Sequence, residues 1–275
     1  MTARSLAKRY VPPAAAVVAA AFALRAYERA APSYPHMAYL TGWVLFALII
    51  FLTAYNARKK LPFLPLLSSR LWLRAHSWVG MAAALVFMAH LGWRKPSGPF
   101  EGALAALFVA VTLSGVAGWW LSQVLPRRLT SAGGEVPYDR IPAIRLALRE
   151  RAESLVVTGI PAAGATTLAD FYASRLSGFF AGPANFGQHL FGSRHALNSM
   201  LSELGEVKKY LSHSEKSAAV ELAALVREKD ALDLHRSMQL VLKAWLFVHI
   251  PLTYAMLAFI GVHIVLMYAF AGGGR

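Results

Sequence analysis

Apolar residues in this chain gather into long runs with almost no charge, not the alternating or three-to-four-residue spacing of an element with one wet face. Five runs have about the 20 residues needed to cross roughly 30 Å of hydrocarbon: about 10 to 27, 37 to 55, 72 to 93, 102 to 124 and 238 to 270. The first is Ala-rich, opens on Pro12 and Pro13 and ends at Arg25, so a cleaved signal peptide is its competing reading. No small-x-small cleavage site precedes the charged Arg25 to Arg29 segment, which favours a retained helix.

Between the fourth and fifth runs the pattern changes. Residues 126 to 236 begin at Pro126-Arg127-Arg128, read as helix from Ile141 to Val157, and pass through a Gly/Pro-rich middle. They then read as helix in two further pieces, the second starting near Ser214 with Val220, Leu222, Leu225, Val226 and Leu232 at helical spacings. A small helical cap is the expectation for this part, with an interfacial amphipathic helix as a variant. The predicted fold is thus an all-α membrane protein: a five-helix transmembrane bundle with a helical cytoplasmic insertion between helices 4 and 5. Its parts are residues 1–125, 126–236 and 237–275. No repeat, phosphate-cradling loop or low-complexity tract interrupts it.

Composition agrees, at 57% hydrophobic and 15% charged residues, which excludes a soluble enzyme. The formal net charge of +14 raises the question of nucleic acid, but residues 126 to 236 hold 14 Lys+Arg against 12 Asp+Glu. The excess therefore sits in and around the apolar runs, where it reports topology. Arg4, Lys8 and Arg9, and Arg58, Lys59, Lys60, Arg70 and Arg74, mark the cytoplasmic side; the other loops carry only Arg25 and Arg29, and Arg94 and Lys95. That places the N-terminus and the insertion in the cytoplasm and the C-terminus outside a bacterial-type plasma membrane, with no nucleic-acid partner. The absence of Cys excludes thiolate catalysis, Cys-ligated clusters and covalently attached haem.

The informative residues are four histidines. His76 and His90 lie 14 apart on the third run, His249 and His263 lie 14 apart on the fifth. Fourteen helical steps of about 100° fall about 40° short of four turns and rise about 21 Å, so each pair shares a face and divides between two depths. Ionisable residues inside a span are costly and mark functional pathways. Neutral imidazoles are good axial ligands for haem iron. The third and fifth runs are co-directional by alternation, which matches His76 with His249 and His90 with His263 and implies two b-type haems. Two imidazoles per iron leave no open position, which suits electron transfer.

Gly80, Ala83 and Phe87 lie on the His76/His90 face, and Thr253, Met256 and Ile260 on the other. Arg70 and Arg74, and Trp93, Arg94 and Lys95, stand where haem propionates could be met, though interface anchoring accounts for them equally. Gly92, Gly115, Gly118 and Gly261 permit close helix approach. Any one intramembrane histidine is as readily an interhelical hydrogen-bond partner; two equally spaced pairs are harder to reach by accident. His235 lies a further 14 before His249, in a charged stretch, and is expected to be solvated or at the membrane surface. Pro251 is expected to kink the last span. His36, His189, His195 and His213 are expected in loops or the cap.

The two x13-spaced pairs, His76/His90 and His249/His263, resemble the dihaem core of the cytochrome b family. That core is found in quinol:cytochrome c reductases and, more loosely, in membrane hydrogenases and formate dehydrogenases. The resemblance spans about residues 70 to 124 and 236 to 270. The chain departs from the reductase pattern in its large insertion and in lacking a Pro-Glu-Trp-Tyr quinol motif. The resemblance implies an electron-transfer subunit of a membrane oxidoreductase, working with quinone or with an extracytoplasmic multihaem cytochrome c or iron-sulfur protein. A stand-alone reductase of ferric iron or another small acceptor, and a haem-free anchor or transporter, are the alternatives.

Overall fold

A computed structural model of the protein describes residue 29 and residues 37–60, 68–92, 94–130, 136–158 and 167–270. The first expected span, residues 10 to 27, lies outside them, as do His36 and Trp93. Every regular element among the described residues is helical. The longer helices are α1 (Met37–Lys60), α2 (Ser69–His90), α3 (Pro99–Thr130), α4 (Ile141–Thr158), α8 (His195–Val207) and α9 (His213–Phe270). Three short ones, α5 (Thr167–Phe171), α6 (Ser177–Ala181) and α7 (Phe186–Phe191), lie between α4 and α8, with one π-helical turn, Tyr172–Leu176, joining α5 to α6.

Among the described residues three helices are long and apolar enough to cross a membrane: Leu71–His90, Pro99–Leu125 and Glu215–Phe270. The apolar part of α1, Tyr39–Tyr55, is shorter. At most 17% of the apolar window of any of the three is buried within the protein. Leu113, Phe247 and Val265 are 65%, 81% and 66% exposed. Helices that are apolar all round and yet show those side chains outward suit a hydrocarbon surrounding.

The chain forms two compact units, Met1–Trp119 with Leu246–Arg275, and Trp120–Trp245. In the first, α1, α2, α3 and the last turns of α9 enclose a core of Leu45, Ile49, Ala83, Phe87, Phe108, Met256 and Ile260. Aromatic contacts close this ring of helices. Phe51 stacks on Trp72 at 5.4 Å, Phe87 on Phe108 at 4.0 Å and Phe100 on Phe259 at 5.5 Å, and the Trp43 indole donates to the Tyr268 hydroxyl at 3.0 Å. The contacts also set direction. Ser114 meets His249 while Phe100 meets Phe259, so α3 and α9 are antiparallel. The tight turn after α2, with Gly92 at φ +58°, reverses the chain into α3. Hence α2 and α9 are co-directional.

The second unit has the ordinary arrangement of an apolar core under a charged surface. Ile141, Leu148, Ala152 and Val156 recur at helical spacing along α4 and pack against Leu168, Tyr172, Leu176, Phe180, Leu204, Leu222, Leu225, Val226 and Leu232. Of the apolar positions expected on the first part of α9, Val220 is exposed. The two expected helices near 214 and 238 are one uninterrupted helix of 58 residues. No Gly or Pro occurs between His213 and Ile250, and the helix continues through Pro251.

One histidine expectation is corrected here. His235 is 2% exposed, neither solvated nor superficial. It lies one turn from Leu232 on one side and Met238 on the other, both buried, so helical periodicity overrides the charged local sequence. His189, expected in a loop or cap setting, is buried on α7 beside Asp230, with Nε2 3.5 Å from a carboxylate oxygen. His195 and His213 are exposed.

Candidate functional site

The interior of the first unit holds the four histidines of α2 and α9. The His90 and His263 rings come together, with centroids 6.4 Å apart and planes at 88°. Behind His90 stands α1. The Thr41 hydroxyl lies 3.3 Å from His90 Nδ1, and a Cβ on Gly42 would come within 3.0 Å of His90 Cε1. The missing side chain lets α1 approach the imidazole this closely without the ring giving way.

One step deeper along the helices, His249 Nδ1 lies 3.1 Å from the Ser114 hydroxyl of α3. Gly115 faces the same ring, since a Cβ there would be 3.9 Å from His249 Cε1. His76 packs beside the Tyr55 ring of α1 at 5.3 Å between centroids. Thr253 donates to the His249 carbonyl at 2.8 Å, one turn back on its own helix. It therefore serves α9 itself.

Between the two depths, Ala83, Phe87, Met256 and Ile260 share one buried core. Gly80 is half-buried, and a Cβ on it would come 3.9 Å from Leu52 of α1. That is an ordinary contact distance, and it puts this face of α2 against α1. Arg74 and Arg94 are exposed, as is Lys95. The side chain of Arg70 is outside the described atoms.

Among the described residues no group of three or more His, Asp or Glu side chains could hold a bare metal ion. The described contacts bring one pair of candidate donors ring to ring, His90 and His263, while His76 and His249 are each described against another helix, at Tyr55 and Ser114. Two imidazoles are what a haem would need from the protein. Imidazole nitrogens bound at about 2.0–2.1 Å on opposite sides of one metal put the two ring centres about 6 Å apart. The His90/His263 separation fits that requirement. In both His90 and His249 the ring nitrogen beside a hydroxyl is Nδ1.

Thr41, Gly42, Ser114 and Tyr55 were not singled out by sequence. Their signal is weak, because small and hydroxyl residues in apolar helices are common for packing alone, and nothing local distinguishes the one that faces a histidine on another helix. Comparison with protein-family models, with curated proteins and with solved structures finds no match to this chain.

Proposed function

We propose that this chain is a transmembrane electron-transfer subunit holding two b-type haems, one between His90 and His263 and one between His76 and His249. The observation that carries this reading is the facing of His90 and His263 at 6.4 Å across two co-directional helices, with the second pair 14 residues back on each helix. Bound haem supplies a reversible one-electron couple at each depth. The chain's own part is to hold four neutral imidazoles, fix their orientation from α1 and α3, and exclude water with the buried Ala83, Phe87, Met256 and Ile260.

The proposed setting is a five-helix bundle in a bacterial-type plasma membrane, with residues 126–236 on the cytoplasmic side and Arg94 and Lys95 on the outer side. Exposed Arg94 and Lys95 offer a cationic spot for a redox partner, such as a multihaem cytochrome c or an iron-sulfur protein. Quinone is the expected lipid-soluble partner.

The test is a reduced-minus-oxidised spectrum and a haem-to-protein ratio on the purified full chain. A b-type signal at two haems per chain is expected, falling to one in His263→Ala. A colourless protein overturns the proposal.

A further inference from the structure

We infer that Thr41 and Ser114 are positioning residues, each setting the orientation and electron-donating strength of one iron ligand. Thr41 on α1 serves His90, and Ser114 on α3 serves His249. The inference rests on the haem reading above and deepens it. Both contacts have the same form: a side-chain hydroxyl from a neighbouring helix at the Nδ1 of a histidine, at 3.3 Å for Thr41 and 3.1 Å for Ser114. One falls on each histidine pair, and the two come from different helices, α1 and α3.

A neutral imidazole carries one proton. An acceptor oxygen at Nδ1 favours the tautomer with the proton there, in which Nδ1–H donates to the hydroxyl and the Nε2 lone pair is exposed for coordination. The same bond turns the ring and raises the basicity of the coordinating nitrogen, as outer hydrogen bonds do for metal-bound histidines generally. A more basic ligand stabilises the ferric over the ferrous state, so the hydroxyl lowers the reduction potential. Gly42 and Gly115 are the residues adjacent to the two hydroxyls, and each faces the same histidine. At Gly42, where a Cβ would stand 3.0 Å from the ring, the missing side chain brings α1 close enough for Thr41 to reach Nδ1.

The experiment is a spectroscopic potential titration of the purified full chain as wild type, Thr41→Val and Ser114→Ala, with Thr41→Ser and Ser114→Thr as conservative partners. Thr41→Val keeps the shape and removes the hydroxyl. It is expected to raise the potential of one haem, increasing the ferrous-to-ferric ratio at a fixed ambient potential about threefold, or about 30 mV at 59 mV per tenfold. Ser114→Ala is expected to move the other haem by a similar amount, and the conservative variants to restore wild-type values. A variant that loses one haem while its conservative partner keeps it also supports the assignment.

Unchanged potentials with both haems present overturn this inference and leave the haem reading standing. Loss of haem that the conservative variant fails to rescue overturns it too, since the residue would then serve packing. A wild-type chain without haem overturns the underlying reading.

Discussion

The two units of this protein bury polar groups in different company. In the unit of residues 120–245, Lys229 is wholly buried, pairs with Asp233 one turn along α9, donates to the Gly182 carbonyl at 2.7 Å and lies over the Phe179 ring at 4.0 Å. Asp233 in turn accepts from the Ala184 amide at 3.0 Å. One carboxylate oxygen of Asp233 takes both the Lys229 and the Ala184 contact, and this knot pins the segment before α7 to α9. In the other unit the half-buried imidazoles meet neutral groups: the Thr41 and Ser114 hydroxyls, the Tyr55 ring and, for His90, the ring of His263. The first arrangement explains a structure. The second has the donor chemistry of a binding site.

The largest effect expected from this contrast is on the knot. Lys229→Met leaves the Asp233 carboxylate buried without its cation and the Gly182 carbonyl without its donor. Breaking a buried ion pair costs about 3–5 kcal/mol, so thermal unfolding or protease resistance of the 120–245 unit should be severely impaired in the purified protein. The spectrum of any group held by the four histidines should be unchanged while the protein remains folded. A loss below about 1 kcal/mol would mean that the pair is not buried as described.

The second prediction separates two kinds of exposure. Val265 on the last turns of α9 and Val220 near its start are 66% and 56% exposed, nearly the same by geometry. If the first faces hydrocarbon and the second water, Arg will distinguish them. Val265 lies close to the Phe270 end of α9, so Val265→Arg should cost less than the ~2.5–3.5 kcal/mol of a mid-span Arg, on the order of 1–2 kcal/mol, because the side chain can snorkel to the interface. Val220→Arg should stay within about 0.5 kcal/mol. Membrane-fraction yield and thermal stability read both, and equal effects would abolish the distinction between a lipid-facing and a water-facing surface.

The same contrast shows what sequence could and could not reveal. The long apolar runs foretold α2, α3 and the last part of α9, because a hydrocarbon-spanning helix needs only length and composition, both local properties. The facing of His90 and His263 followed from register on two helices. His235 did not, because its burial depends on α9 continuing unbroken from His213 into the apolar stretch, while charged neighbours such as Asp233 and Arg236 argued for a wet position. Asp233 is itself buried, matched by Lys229 four residues earlier and by a backbone amide 49 residues away. Only the first of those partners is visible at helical spacing. Thr41 and Ser114 stayed hidden for a related reason: their partners lie 49 and 135 residues distant in sequence.

The smallest effect is expected at Gly42, where the contrast is finest. Replacing a helical glycine by Ala gains about 1 kcal/mol of intrinsic helix preference. In a well-packed interior the added methyl costs about 1–3 kcal/mol when its neighbour must move. Here the methyl would stand 3.0 Å from His90 Cε1, so a ring shift of a few tenths of an ångström relieves the clash, and net stability should change by about 1 kcal/mol or less. The ring that shifts is a proposed iron ligand. Gly42→Ala should therefore leave the melting temperature almost unaltered while changing the absorption band or potential of one haem and sparing the other. A Gly178→Ala control sits in α6 of the 120–245 unit, where a Cβ meets nothing within 4 Å, and should raise the melting temperature slightly while leaving both haem bands and potentials unchanged. If Gly42→Ala behaves like that control, His90 has room to spare, and the close approach of α1 does not hold the imidazole in place.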